Sequence, residues 1–189
     1  VLMAVDGLDW TVTRTAIAAG RLPNLAALAR DGVCAEVNAG AAVPGLPGPE
    51  GALLSPVLWT TVATGQYYFQ HGVTGFVNTH ESPSRPPLFG SHHVRSPRLW
   101  DILGTRNMRS IVVGYYVTHP AYPIEGALVS DMYGEVESTD AAWPPALVDQ
   151  CAQWLGAADY ATYIQQTRAV GTLANVDGYG LTDAGSAAQ

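Results

Sequence analysis

The sequence predicts an α/β domain with a mostly parallel sheet flanked by helices. Val1-Leu2-Met3-Ala4-Val5 is a short, continuous apolar run, the pattern of a strand buried in a parallel sheet. Arg109-Ser110-Ile111-Val112-Val113-Gly114-Tyr115-Tyr116 is a second strand pattern, β-branched and aromatic. Between and after them lie segments with helix start and stop signals, and strands that alternate with helices imply parallel pairing through right-handed crossovers. The chain has 189 residues, 48% hydrophobic and 13% charged, which is enough for one domain with a core.

Each element follows in order. After residues 1–5 comes Asp6-Gly7-Leu8-Asp9, where Gly7 permits a sharp turn. Asp9 or Thr11 caps a first helix running to about Ala19, stopped by Gly20. Pro23-Asn24 opens a second helix over residues 25–30, ended by Gly32. Residues 33–38 read as a strand, and residues 39–54 as a Gly-, Pro- and Ala-rich loop. Ser55 is placed as an N-cap and Pro56 as the first residue of a short, mostly apolar, buried helix that Gly65 ends. Residues 78–96 are irregular and hold His80, His92 and His93. Residues 98–103 form a short helix ended by Gly104. Thr118-His119-Pro120 turns away from the end of the 109–116 strand, and residues 126–131 are a further strand or extended segment. Trp143-Pro144-Pro145 starts a helix through about Leu155, and residues 157–189 show some helical periodicity and a Gly-rich stretch. No internal repeat is present.

Composition excludes several function classes. Net charge is −7 without a basic patch, which argues against nucleic acid or an anionic membrane as the main partner. All nine basic residues are Arg, so Schiff-base and phosphate-loop lysines are excluded. Cys34 and Cys151 have no metal spacing and no disulfide framework, and read as buried free thiols. No apolar run approaches the roughly 20 residues of a membrane span. The first residue, Val1, already lies in a strand pattern and no initiator Met precedes it, so a natural start, with any signal peptide, is expected further upstream.

Two positions carry chemistry. Ligands gather at the carboxyl ends of strands in open α/β sheets, so Asp6 is either a metal ligand or a loop cap. A hydroxyl at the start of a buried helix sits where backbone N–H groups and the helix dipole favour an anion, so Ser55 is either a helix cap or a group that meets phosphate. A carboxylate and a hydroxyl can share one divalent ion, which activates the hydroxyl and offsets charge on a phosphoryl oxygen.

Four segments in order then point to a family. These are Val5-Asp6-Gly7-Leu8-Asp9-Trp10, Gly20-Arg21-Leu22-Pro23-Asn24-Leu25, Leu54-Ser55-Pro56-Val57-Leu58-Trp59-Thr60-Thr61-Val62-Ala63-Thr64-Gly65 and His71-Gly72-Val73-Thr74-Gly75-Phe76. Together they resemble the type I phosphodiesterase/nucleotide pyrophosphatase family of the alkaline phosphatase superfamily. Residues 113–120 and 126–131 fit its bacterial branch, and the resemblance runs from Val1 to about Leu147. It implies an alkaline-phosphatase-like fold and a metal-dependent phosphoesterase or phosphodiesterase acting on a small phosphate ester. It implies two metal ions, usually zinc, with Asp6 as a ligand. It makes Ser55 both nucleophile and metal ligand, forming a phospho-enzyme intermediate that water cleaves.

The sequence also departs from that pattern. Leu58 stands where the nucleotide pyrophosphatase branch has an Asn that holds a phosphoryl oxygen. The family's downstream Asp-x-x-x-His and Asp-His-Gly patterns, which carry the remaining ligands, do not occur. The chain therefore reads as a single α/β domain over residues 1–189 that is the N-terminal part of a longer catalytic domain, weakly active alone. The alternative is a degenerate, non-catalytic domain of the same fold that binds an anion or a protein. A sulfatase is disfavoured, because Ser55-Pro56-Val57 does not fit its Cys/Ser-x-Pro-x-Arg pattern. Thr60 and Thr61 lie within the helix, where hydroxyls bond to backbone carbonyls. His71 reads as a structural polar anchor. His92 and His93, adjacent in an extended chain, would face opposite ways. His119 could line a cleft, and Asp131 is a similar case for which an exposed or capping role is favoured.

Overall fold

The computed structural model describes residues 1–35, 54–134 and 139–155. Its elements in chain order are α1 (Trp10–Ala18), α2 (Pro23–Asp31), α3 (Ser55–Thr64), α4 (Tyr68–His71), α5 (Leu99–Gly104), β1 (Ser110–Tyr115), β2 (Gly126–Ser130), β3 (Ala142–Trp143) and α6 (Leu147–Leu155). The expected loop over residues 39–54, apart from Leu54, and the expected periodicity of residues 157–189 fall outside the described residues.

The helices form where cap chemistry places them. Asp9 caps α1 by accepting a 2.8 Å bond from the Val12 N–H. Pro23 opens α2 with φ already set for a helix. Gly65 closes α3 in the left-handed region (φ 64°), where its N–H bonds the Thr61 carbonyl. The Ser55 expectation needs correction by one position. Leu54 is the N-cap, Ser55 is the first helical residue and Pro56 the second, so the Ser55 hydroxyl makes no cap. One side of α3 is buried through Pro56, Val57, Thr60, Ala63 and Thr64.

The described sheet is small, has the order β1-β2-β3 and is mixed: β1 and β2 pair in parallel, β2 and β3 antiparallel. The residue 1–5 strand is also corrected. That segment makes no ladder among the described residues, and Val1, Leu2, Met3 and Val5 are exposed. A strand requires a partner at hydrogen-bonding distance, about 4.8 Å away. Here residues of the segment and of β1 instead line one groove of about 760 Å³ without pairing. Residues 33–35 are likewise not strand, and the rest of that expected strand is outside the described residues.

Val112 and Leu128 meet Ala63 and Trp100 in the core, with Tyr115, Tyr122, Ile124 and Trp143 packed around them. The opposite face of β1 is open at Ile111 and Val113. β1 also carries a bulge. Val113 pairs with Val129 and Tyr115 with Ser130, which leaves Gly114 unpaired at φ 60°. A glycine in the left-handed region lets a bulge form without a Cβ clash, and the bulge re-aims the side chains that follow it.

Candidate functional site

The fold joins residues far apart in sequence around one carboxylate. Asp6 follows the 1–5 segment, on the turn where Gly7 adopts φ 68°. Its Oδ2 accepts from the Ser55 hydroxyl at 3.0 Å and from the Tyr116 hydroxyl at 3.2 Å. Its Oδ1 accepts from the Trp59 indole N–H at 2.9 Å. Asp6 is exposed, so the cluster is open to a solute. Ser55 and Trp59 are four apart on α3 and so share a helix face. The two residues singled out in the sequence, Asp6 and Ser55, are thus in direct contact across 49 positions.

Trp59 and Tyr116 are the members that sequence reasoning missed. The one signal for Tyr116 was Gly114 inside a strand pattern, which marks a bulge. Past that bulge, Tyr115 makes T-shaped ring contacts with Trp59 and Trp100 and donates its hydroxyl to the Trp59 carbonyl at 2.8 Å. Burial pushes the Tyr115 phenol up to about 12. Tyr116 reaches Asp6 instead. Its phenol is raised first by burial and then by the Asp6 charge and hydrogen bond, while a hydrogen bond with Ser55 works the other way. The Tyr116 phenol is therefore protonated at neutral pH and donates to the carboxylate.

Below the site lies a brace. The Asp131 carboxylate accepts from the backbone N–H groups of Val117 (2.8 Å), Thr118 (3.1 Å) and His119 (3.0 Å). Asp131 thus has the capping role that was one of its expectations. Arg98, 5% exposed, donates to the carbonyls of Val117 and Ser91 and to the Tyr122 hydroxyl.

The other candidates settle elsewhere. Thr60 donates to the Pro56 carbonyl at 2.6 Å, as expected of a mid-helix hydroxyl, but Thr61 bonds His71 Nε2 at 3.1 Å. His71 is fully buried and anchors α3 to the turn after α4. His92 and His93 lie in a 3₁₀ turn (Ser91–His93) with ring centroids 3.9 Å apart, so the extended-chain expectation of opposite faces is corrected. In such a tight turn neighbouring rings can meet, and His93 also bonds Glu81 at 2.8 Å. The His119 Nδ1 is buried without a hydrogen-bond partner. Both cysteines are free, but Cys34 is exposed and only Cys151 is buried.

A carboxylate and a hydroxyl in contact are two oxygen donors suited to a hard or borderline divalent cation. Among the described residues no group of three or more His, Cys, Asp or Glu converges. Asp6 and Ser55 therefore do not by themselves make up the two-ion centre that the family resemblance implies. No helix among the described residues is long and apolar enough to cross a membrane.

An α/β scaffold that sets a helix-borne serine hydroxyl on a carboxylate suits a hydrolase of phosphate esters. A comparison with family models makes the family specific: the type I phosphodiesterase/nucleotide pyrophosphatase model matches residues 1–177, and the chain belongs to that family. The family is one of typically metal-dependent hydrolases. No curated protein and no solved structure matches the chain.

Proposed function

We propose that this chain is a phosphoesterase or phosphodiesterase in which Ser55 is the nucleophile and forms a phospho-enzyme intermediate. The observation that carries the reading is the 3.0 Å bond between the Ser55 hydroxyl and Asp6 Oδ2. Three features of the chain support it. Ser55 sits at the first position of a ten-residue helix, where the dipole favours incoming negative charge. Its hydroxyl is not used as a cap. Asp6 is placed to accept the hydroxyl proton as the Ser55 oxygen attacks phosphorus and the ester oxygen leaves. The substrate is a small phosphate ester. Asp6 and Ser55 are the two residues offered to a divalent ion, with zinc as the metal the family resemblance implies, and no step above depends on it.

The test is trapping. The purified chain is incubated with an aryl phosphodiester, with and without added zinc, quenched in acid and mapped by peptide mass spectrometry. A covalent phosphoryl adduct on Ser55, absent from Ser55→Ala, is expected, together with slow turnover. An adduct on another residue, or none, overturns the assignment.

A further inference from the structure

We propose that Tyr116 is a positioning residue for the Asp6–Ser55 pair, set in place by a strained backbone step at Val117. Val117 is a β-branched residue at φ 62°, where its Cβ crowds the backbone. It is also 3% exposed. Such a conformation persists only where the surroundings over-determine it. Here they hold it from both sides. Its N–H donates to Asp131 and its carbonyl accepts from Arg98 Nη2 at 3.2 Å. Asp131 also takes the next two N–H groups, of Thr118 and His119. The bulge at Gly114 lies two residues before Tyr116, and the strained step one residue after it. Two irregularities therefore bracket Tyr116, and the product of both is a phenol hydroxyl on Asp6 Oδ2.

That hydroxyl has a definite job. An exposed carboxylate turns freely about its terminal bond unless both oxygens are engaged. Trp59 engages Oδ1, and Tyr116 shares Oδ2 with Ser55. With both donors present, the plane of the carboxylate is set and Oδ2 faces Ser55. Outer partners that orient a metal-ligating side chain are worth about 10- to 100-fold in metal affinity or activity, and the same scale is taken for Asp6. Tyr116 is assigned to this orienting task through Asp6, and not to contact with the reacting phosphorus.

The kinetic part of the test rests on the proposed role of Ser55, and the spectroscopic part does not. The Trp59 indole N–H resonance, assigned by its loss in Trp59→Phe, reports directly on the bond to Asp6. Tyr116→Phe keeps the ring and removes only the hydroxyl. It is expected to shift that resonance and quicken its exchange with solvent while the thermal midpoint stays unchanged. Asp6→Asn should move the same resonance. Tyr116→Phe should also lower kcat about tenfold or more with KM unchanged. An unmoved indole resonance in Tyr116→Phe overturns the inference. A shifted resonance with activity that survives Ser55→Ala instead sinks the nucleophile assignment and leaves the positioning role standing. Asp131→Asn, which weakens the brace, should reproduce the indole shift. If Asp131→Asn unfolds the chain, Tyr116→Phe alone decides.

Discussion

Acidification should destabilise this domain through one buried histidine. His71 is fully buried between α3 and the turn that follows α4. The Val73 N–H donates to its Nδ1 at 3.1 Å, so Nδ1 carries no proton and Nε2–H points at the Thr61 hydroxyl. A second proton would have to go on Nδ1, against the Val73 donor and away from water. Burial accordingly lowers the imidazole from 6.5 to about 4, with the Val57 carbonyl working weakly in the opposite direction. The sign follows from proton counting. As pH falls through 6.5 the unfolded chain takes up a proton at this position and the folded chain does not. Stability is therefore full above 6.5, declines through the window and has lost its His71 share by about pH 4. The drop from 6.5 to about 4 is worth about 3 kcal/mol at 1.36 kcal/mol per pH unit. That is a large fraction of the roughly 10 kcal/mol typical of a domain.

The assay is urea denaturation followed by tryptophan fluorescence at a series of pH values from 7 to 4. Carboxylates titrate in the same range, so the comparison is with His71→Asn, which keeps an acceptor near the Val73 N–H and cannot ionise. The variant should be less stable at pH 7, having lost the Thr61 bond and part of its volume. Its stability should fall less with acid, and the two curves should converge by about 3 kcal/mol between pH 7 and pH 4. Parallel curves would refute the argument. So would an imidazole C–H resonance of His71 that titrates near 6.5 in the folded chain.

Two further outcomes concern the frame that carries the site. Gly126 holds φ 132° at the start of β2, and a Cβ there would overlap the Ser110 carbonyl. Gly126→Ala should cost about 3 kcal/mol in urea, because both the backbone angle and the β1–β2 pairing are compromised. Leu128 has no exposed surface and sits between the sheet and Trp100. Leu128→Ala should cost about 2–5 kcal/mol, read as a lower urea midpoint with an unchanged slope.

The legibility of this protein divides along the range of the forces involved. Helix ends depend on neighbours a few residues away, so Asp9, Pro23 and Gly65 announced α1, α2 and the close of α3 within a residue or two. The placement of Ser55 slipped by one because Ser, Pro and the residue before them all tolerate the extended geometry of an N-cap, and only the tertiary contact with Asp6 draws the hydroxyl away. The strand propensity of residues 1–5 was local as well, but a strand exists only with a partner, and that segment lines a groove with β1 without pairing to it. Periodicity could not show this.

By itself, then, the sequence determined what chemistry the chain could carry. The ordered segments from Val5 to Phe76 put an Asp and a Ser in the pattern of a phosphodiesterase family, and the family match over residues 1–177 agrees with them. Tertiary structure alone decided that Asp6 and Ser55 touch, and that Trp59 and Tyr116 complete the ring around one carboxylate. Tyr116 is 110 positions from Asp6, and its reach depends on a bulge at Gly114 and a strained Val117 held by Arg98 and Asp131. No local preference encodes that bond, because a left-handed valine is disfavoured by its own side chain and stands only when distant groups hold it.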